Sequence, residues 1–356
     1  MSLCGLFIYE RASIHGRSAA VKFAYCIRLL YTACTDILLS QRCVVSVLFL
    51  FVDGVGLASV GHDNPLSDAP TPTINALLKG ALTIERASAS SHALLRPLDA
   101  TMGVAGLPQS GTGQTALLAG INAAALHGRH QPHFPPMALR SMLVERSIFR
   151  RLTEAGRRVA FANAFGVRYW EALAARRLRR SASVIAAEGA GVRFRSDHDL
   201  RAGSALTWDI TGETIRASGG DAPVIAAQAA GGRLARLAAR YDLVFFETFL
   251  TDLAGHGRLA HLAAPDRPFP SIAEQVHMAM EQVDSMIAGA LDAMRPGDTL
   301  VLTSDHGNIE SLSSSTHTRN PVPLLAVGPA ASHFAHLVSI VQVADAVVAA
   351  AQEYAA

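Results

Sequence analysis

Cysteine is missing from the whole chain after Cys43: all four, Cys4, Cys26, Cys34 and Cys43, fall in the first 43 of 356 residues. That excludes a disulfide framework or a zinc-thiolate site for the body of the protein, and it agrees with a reducing, cytoplasmic setting. A charge excess is also lacking. Lys and Arg number 31 against 29 Asp and Glu, a formal net charge of +2 spread along the chain. No nucleic acid and no membrane is therefore expected as a partner, while a small anionic ligand is compatible. The most apolar early stretch, "AAVKFAYCIRLLYTACTDILL", is broken by Lys22, Arg28 and Asp36. It stays short of the roughly 20 apolar residues that a membrane span needs. Methionine is absent between Met1 and Met102. Residues 1–43 differ in composition from the rest and read either as a helical extension packed on the surface or as a product of the assigned start.

Half of the residues are hydrophobic, enough to build a sizeable core. "VVSVLFLFV" (44–52) is a continuous apolar run ending at Asp53-Gly54, the pattern of a parallel strand buried on both faces. "RRVAFANAF" (157–165), "DLVFFETF" (242–249), "DTLVLTS" (298–304) and "PVPLLAVG" (321–328) are further strands in this reading. Helix-like or loop segments separate them, and that alternation predicts an α/β fold with a doubly wound, mostly parallel sheet. In "SIAEQVHMAMEQVDSMIAGALDAM" the residues Ile272, Val276, Met280, Val283, Ile287, Leu291 and Met294 step by three or four, which predicts a helix with one apolar face. Residues 167–222, with "RRLRR" (176–180) and many glycines, fit the alternation less well and read as a small inserted lid or cap. The catalytic core is thus expected over 44–166 and 223–356.

Chemistry gathers where these strands end. "TSDHGNIE" (303–310) sets Asp305 and His306 side by side; "FVDGVG" ends a strand at Asp53; "FLTDLAGHGR" carries Asp252 and His256 four apart; "THTRNPVP" places His317 before the last strand. Each alone is equally an ordinary turn. Together they put three Asp and three His at strand ends, and ligands bind at the carboxyl ends of open parallel sheets. Carboxylate and imidazole without thiolate suit Zn²⁺, Mn²⁺ or Fe²⁺, and six ligands suffice for two ions. Two ions about 4 Å apart can clamp the attacking and leaving oxygens of a displacement at phosphorus. Gly307 is expected to turn the backbone away from the ion.

The motifs "VDGVG", "DLAGH", "TSDHGN" and "HTRNPVP", in this order, resemble the alkaline phosphatase superfamily, and within it the branch of cofactor-independent phosphoglycerate mutases and phosphopentomutases. The resemblance runs from Val44 to about Gly328, leaving out the insertion. It implies an alkaline phosphatase-like fold and two divalent metal ions, Mn²⁺ or Zn²⁺. Asp53, Asp305 and His306 would hold one ion and Asp252, His256 and His317 the other. It also implies a hydroxyl nucleophile touching the metals from a helix amino terminus, within "GLPQSGTGQTALLAGINAA". Counting back from Ala119-Gly120 selects Ser110, counting forward from "GLP" selects Thr115, and "TGQ" resembles the surroundings that select Thr112. Ser110 is the preferred nucleophile and metal-bridging residue.

The implied function is a metal-dependent phosphomonoesterase or phosphomutase acting on a small phosphorylated metabolite. A phosphodiesterase or phosphonate hydrolase on the same core, or a non-catalytic metalloprotein that binds a phospholigand, is the alternative. The large inserted domain of the phosphoglycerate mutases has no counterpart of that size here, and "QSGTGQ" lacks the sulfatase setting. Arg129, His127, His130, Arg193 and Arg195 are the basic residues available to meet phosphate or carboxylate.

Overall fold

A computed structural model describes residues 46–89, 93–259, 270–314 and 316–353. The expected extension over 1–43 lies outside these residues. The strands are β1 (Val47–Val52), β2 (Ser88–Ala89), β3 (Leu94–Leu98), β4 (Val159–Phe161), β5 (Leu243–Thr248), β6 (Thr299–Thr303) and β7 (Val322–Val327). They form one sheet in the order β2-β3-β7-β6-β1-β5-β4. β4, β5, β1 and β6 pair in parallel, whereas β7 pairs antiparallel with β6, β3 with β7 and β2 with β3. The parallel centre matches the expectation, and β7 and β3 add an antiparallel flank to it.

Every residue of β1 is buried, and the strand's period of two divides its side chains between two cores. Val47, Phe49 and Phe51 face one apolar cluster, Leu48, Leu50 and Val52 the other. A helical layer covers each. The helices that matter for the site are α1 (Ser110–Ala119), α2 (Arg140–Arg146), α3 (Ile148–Glu154), α4 (Ala182–Gly189), α5 (Ala227–Ala238), α6 (Leu250–Gly255), α7 (Ile272–Ala293) and α8 (Val343–Glu353). Residues of α1, α3, α4 and α8 enter the first cluster. Those of α5 and α7 enter the second. The periodic helix begins at a capping box, in which Ser271 Oγ accepts from Glu274 N and the Glu274 carboxylate accepts from Ser271 N. Its Val276, Met280, Val283 and Ile287 are buried, Leu291 and Met294 are half-buried, and Ile272 in the first turn is exposed, so the phase read from the sequence holds from Val276 onward.

The segment 167–222 is not a uniform cap. Within it α4 buries Ala182, Val184, Ile185, Ala186 and Ala187 in the first cluster beside Phe149 and Phe161. Its "ASVIAA" run is apolar on most of its surface, and such a helix belongs in a core rather than on a rim. The flanking parts, Tyr169, Leu178, Arg179, Trp208 and Ile215 among them, line a cavity over the sheet edge.

The link from β6 to β7 explains the antiparallel pairing. A parallel return needs a crossover of a dozen or more residues, usually a helix. Among the described residues of 304–321 there is no helix, and an isolated bridge joins Gly307 to Thr318. The chain therefore doubles back. His317, just before β7, stays at the same edge as Asp305 and His306, which follow β6.

Candidate metal centre

In-register parallel pairing of β1 with β5 and β6 aligns their carboxyl ends, with Val52 opposite Thr248 and Phe51 opposite Thr303. Asp53 directly follows β1, Asp305 and His306 follow β6, and Asp252 lies on α6, which starts just after β5. Ligand atoms of Asp53, Asp305 and His306 lie within 4.8 Å of one another, and so do those of Asp252, His256 and His317. These are the two triplets that the resemblance implies. They adjoin where the His306 and His317 rings stack, with centroids 3.6 Å apart and planes 13° from parallel.

The first triplet is short of partners. Asp53 Oδ1, both carboxylate oxygens of Asp305 and His306 Nδ1 are buried without a hydrogen bond, and each such group is costly unless something else satisfies it. Burial first, then the charges of Asp305 and Asp252, pushes the Asp53 carboxyl well above the usual carboxylate range. Burial likewise pushes Asp305 up to about 6. It pushes His306 down to about 3, with His317 adding to the effect. Two carboxylates resisting ionisation and a neutral imidazole are the donor set that a divalent cation satisfies, and deprotonated carboxylate and neutral His are the ligating forms. In the second triplet, His256 Nε2 and His317 Nε2 lie 3.5 and 3.9 Å from Asp252 Oδ1. His317 Nδ1 meets the Pro108 carbonyl at 2.9 Å, a contact that orients the ring with Nε2 toward the site.

Ser110 is the first residue of α1, a helix that ends at Gly120 in the left-handed conformation (φ 65°). Its Oγ lies 3.0 Å from His306 Nε2. The rival hydroxyls are engaged elsewhere. Thr115 Oγ1 donates to the Gly111 carbonyl at 2.6 Å, while Thr112 Oγ1 donates to the Gln109 carbonyl and accepts from Gln131 N, both at 3.2 Å. Of the three, Ser110 lines the cavity of about 560 Å³ that opens beside Asp53 and Asp252.

Several residues that hold the site carried no signal in the strand-end reading. Gln114 Nε2 donates to Asp53 Oδ2 at 3.4 Å and Asn308 Nδ2 to Asp252 Oδ1 at 2.8 Å. Glu310, inside the quoted "TSDHGNIE", accepts from Gly56 N, Asn308 N, Asn320 Nδ2 and the Thr318 hydroxyl. It ties together the loops after β1 and β6 and the one before β7. Gly307 has a different reason from the expected turn. Its φ is not in the left-handed region, but a Cβ there would collide with the Glu310 carboxylate and the Thr318 hydroxyl.

The basic residues expected near phosphate sit elsewhere. Arg195 is buried and donates to the Phe161 and Ser204 carbonyls, and Arg193 pairs with Asp199 at 2.9 Å. His127 meets Gln131 and His130 the Val104 carbonyl. Neither these four nor Arg129 lines the cavity; among its described lining residues Arg179 is the one Lys or Arg.

Residues 226–348 match the family model described as Metalloenzyme superfamily. The chain is 33% identical over 97 residues to a 2,3-bisphosphoglycerate-independent phosphoglycerate mutase of Syntrophotalea carbinolica, which is 25% of this chain and 16% of that protein. It is 46% identical over 50 residues to a phosphopentomutase of Methylobacterium radiotolerans, 14% of this chain and 12% of that one. The match thus spans less than a fifth of either relative's length. Among solved structures, the alkaline phosphatase of the Antarctic bacterium TAB5 aligns over 87% of this chain and 98% of its own, with a TM-score of 0.45 and 13% identity. Residues 226–348 thus carry a metalloenzyme-superfamily match, and the resemblance to the alkaline phosphatase superfamily agrees with it.

Proposed function

We propose that the protein transfers a phosphoryl group from a small phosphorylated metabolite, as a phosphomonoesterase or phosphomutase, with Ser110 as the nucleophile. The observation that carries this reading is the pair of carboxylate and imidazole triplets, the first of which meets Ser110, at a helix amino terminus, through His306 Nε2 at 3.0 Å. Asp53, Asp305 and His306 would hold one divalent ion, Mn²⁺ or Zn²⁺, and Asp252, His256 and His317 the second. When bound, such ions lower the pKa of a coordinated hydroxyl and offset phosphoryl charge.

The chain's own residues supply the rest. Ser110 Oγ gives up its proton and bonds to phosphorus as the bond to the ester oxygen breaks; that oxygen takes up a proton and leaves as the alcohol, and the phosphoserine later yields the group to water or to a second hydroxyl. The positive end of the α1 dipole favours the anionic group at that position. Gln114 and Asn308 hold Asp53 and Asp252 in place. Arg179, on the cavity wall, would meet a non-bridging phosphoryl oxygen in this reading. The names of the matched relatives, both mutases, support phosphoryl transfer as the reaction class.

The test uses full-length protein stripped with EDTA and reloaded with Mn²⁺, Zn²⁺ or Mg²⁺. It is assayed for phosphate release and for isomer formation on a panel that includes p-nitrophenyl phosphate, ribose 5-phosphate and 3-phosphoglycerate. The expected result is EDTA-sensitive turnover at two metal equivalents per chain. Two bound equivalents with no turnover of any phosphoester would sink the proposal.

A further inference from the structure

The cavity beside Ser110 is walled by rings rather than by charge. Phe134, Phe165, Tyr169, Trp208 and Phe249 line it, and its volume of about 560 Å³ lies within the range of roughly 300–1,000 Å³ typical of pockets for ligand-sized molecules. Such walls take flat apolar groups by stacking and edge contact. A substrate with a second anionic group would instead need further cations, and Arg179 is the one Lys or Arg among the described lining residues. Its guanidinium already lies 4.6 Å from the Phe134 ring centroid, while Asp53, Asp252 and Glu247 present carboxyl groups to the same space.

Glu247 is the unexplained group. The last residue but one of β5, it is only 3% exposed and lines the cavity, and its Oε2 has no hydrogen-bond partner. Asn163 clasps its backbone from both sides, donating to the Glu247 carbonyl at 2.8 Å and accepting from its N–H at 3.0 Å. The backbone here is therefore held rigidly, with one carboxyl oxygen, Oε2, left without a partner; burial pushes this carboxyl up to about 7, against the lowering effect of the Ser183 hydroxyl. A buried acceptor of this kind is costly unless a ligand donor reaches it.

We propose that the cavity binds the planar aromatic portion of a phosphomonoester, and that this ring system bears an amino or hydroxyl donor that Glu247 accepts. The inference rests on the phosphoryl-transfer reading above and assigns its substrate class. The ring packs among Phe165, Trp208 and Phe249, and the ester phosphorus lies toward Ser110.

Three alkyl phosphates of similar leaving-group basicity test it on the Mn²⁺-loaded protein: propyl phosphate, 2-phenylethyl phosphate and 2-(4-aminophenyl)ethyl phosphate. The phenyl ester should exceed the propyl ester in kcat/KM by about tenfold or more, as burial of a ring predicts, and Trp208→Ala should lose most of that margin. The amino group should add roughly a further fivefold, the scale of one hydrogen bond of about 1 kcal/mol, and Glu247→Leu should remove most of that increment. Saturation-transfer NMR of the phosphate-free alcohol 2-(4-aminophenyl)ethanol on metal-free protein reads the cavity without any chemistry. Binding of the alcohol that weakens in Glu247→Leu, with no ester turned over, would support the cavity assignment and overturn the phosphoryl-transfer reading. Equal kcat/KM for the three esters together with no binding of the alcohol would overturn the cavity assignment and leave that reading standing.

Discussion

Replacing Glu310 with alanine should loosen both metal triplets at once. The side chain is 1% exposed and sits among four donors: Gly56 N at 3.0 Å, Asn308 N at 2.9 Å, Asn320 Nδ2 at 3.1 Å and the Thr318 hydroxyl. Gly56 is three residues beyond Asp53. Asn308 is two beyond His306 and itself holds Asp252. Thr318 adjoins His317. Loss of a hydrogen bond to a charged acceptor costs about 1.5–3 kcal/mol, but such losses are not additive within one network, so the whole change should cost roughly 4 kcal/mol. A native domain has about 5–15 kcal/mol to lose, so the variant should still fold, with a clearly lower urea midpoint. Glu310→Gln keeps the volume but turns one acceptor oxygen into an NH₂ that faces donors. It should fall between, at about 2 kcal/mol. The assay is urea unfolding of EDTA-treated protein, followed by calorimetric metal titration of the folded variants. A loss below about 1 kcal/mol with unchanged affinity at both sites would refute Glu310 as the clasp, because the network would then be redundant.

Protons should compete with metal at the first triplet. In the metal-free fold burial holds Asp305 at about 6, above its ordinary 3.8, and Asp53 is raised as well. Raised carboxyl pKa values contribute stability that is complete below the unfolded value and is lost as pH rises through about 6. A divalent ion binds the ionised forms and reverses that loss, so the rise in Tm on adding Mn²⁺ should be larger at pH 8 than at pH 5; a rise independent of pH would contradict the assignment. Ser110→Ala should abolish phosphoenzyme formation, read by trapping and peptide mapping, while Thr115→Val should keep turnover and lose about 1 kcal/mol of stability with the bond to Gly111; label on Thr112 or Thr115 would overturn the choice of Ser110. Gly113→Ala would put a Cβ 2.8 Å from the Asp305 carbonyl oxygen and 2.9 Å from its Cβ. Helix α1 must then move away, at about 1–3 kcal/mol, and titration should show weakened metal binding at the Asp53 triplet with the Asp252 triplet intact.

The strands that frame the site were readable because they are buried on both faces. "VLFLFV", "LVFF" and "LVL" are apolar runs within β1, β5 and β6, the composition that a strand buried on both faces carries. β3, "LLRPL", was not readable, since Arg96 and Pro97 interrupt its pattern; it pairs antiparallel with β7 on the outer side of the sheet. The direction of β7 was equally hidden. An apolar run reads the same either way, and the helix-free link after β6 decides it. His317 reaches the ligand set through that reversal, for a parallel β7 would begin at the opposite edge of the sheet.

The same distinction separates what the sequence says about metal from what it says about substrate. Ligands follow strands whose ends the sheet must bring into line, so an Asp or His written after an apolar run has a place in space as soon as the run is recognised. Glu310 and Asn308 stand among those ligands, but their work is to join loops that meet only in the folded chain, and no spacing in "TSDHGNIE" announces a bond to Gly56 or to Asp252. The cavity wall is further removed. Phe134 comes from the connection between β3 and β4, Phe165, Tyr169 and Trp208 from the long one between β4 and β5, and Phe249 from just after β5, in a chain with only 6% aromatic residues, and connections carry no periodicity from which a shared surface can be phased. The basic residues suggested for phosphate show the consequence: Arg193 and Arg195 are turned to Asp199 and to backbone carbonyls, whereas Arg179, one of the four arginines of "RRLRR" (176–180), lines the cavity. The proposed metal ligands stand at strand ends, where geometry is forced, and the wall of the proposed substrate cavity in the connections, where only the folded structure brings the residues together.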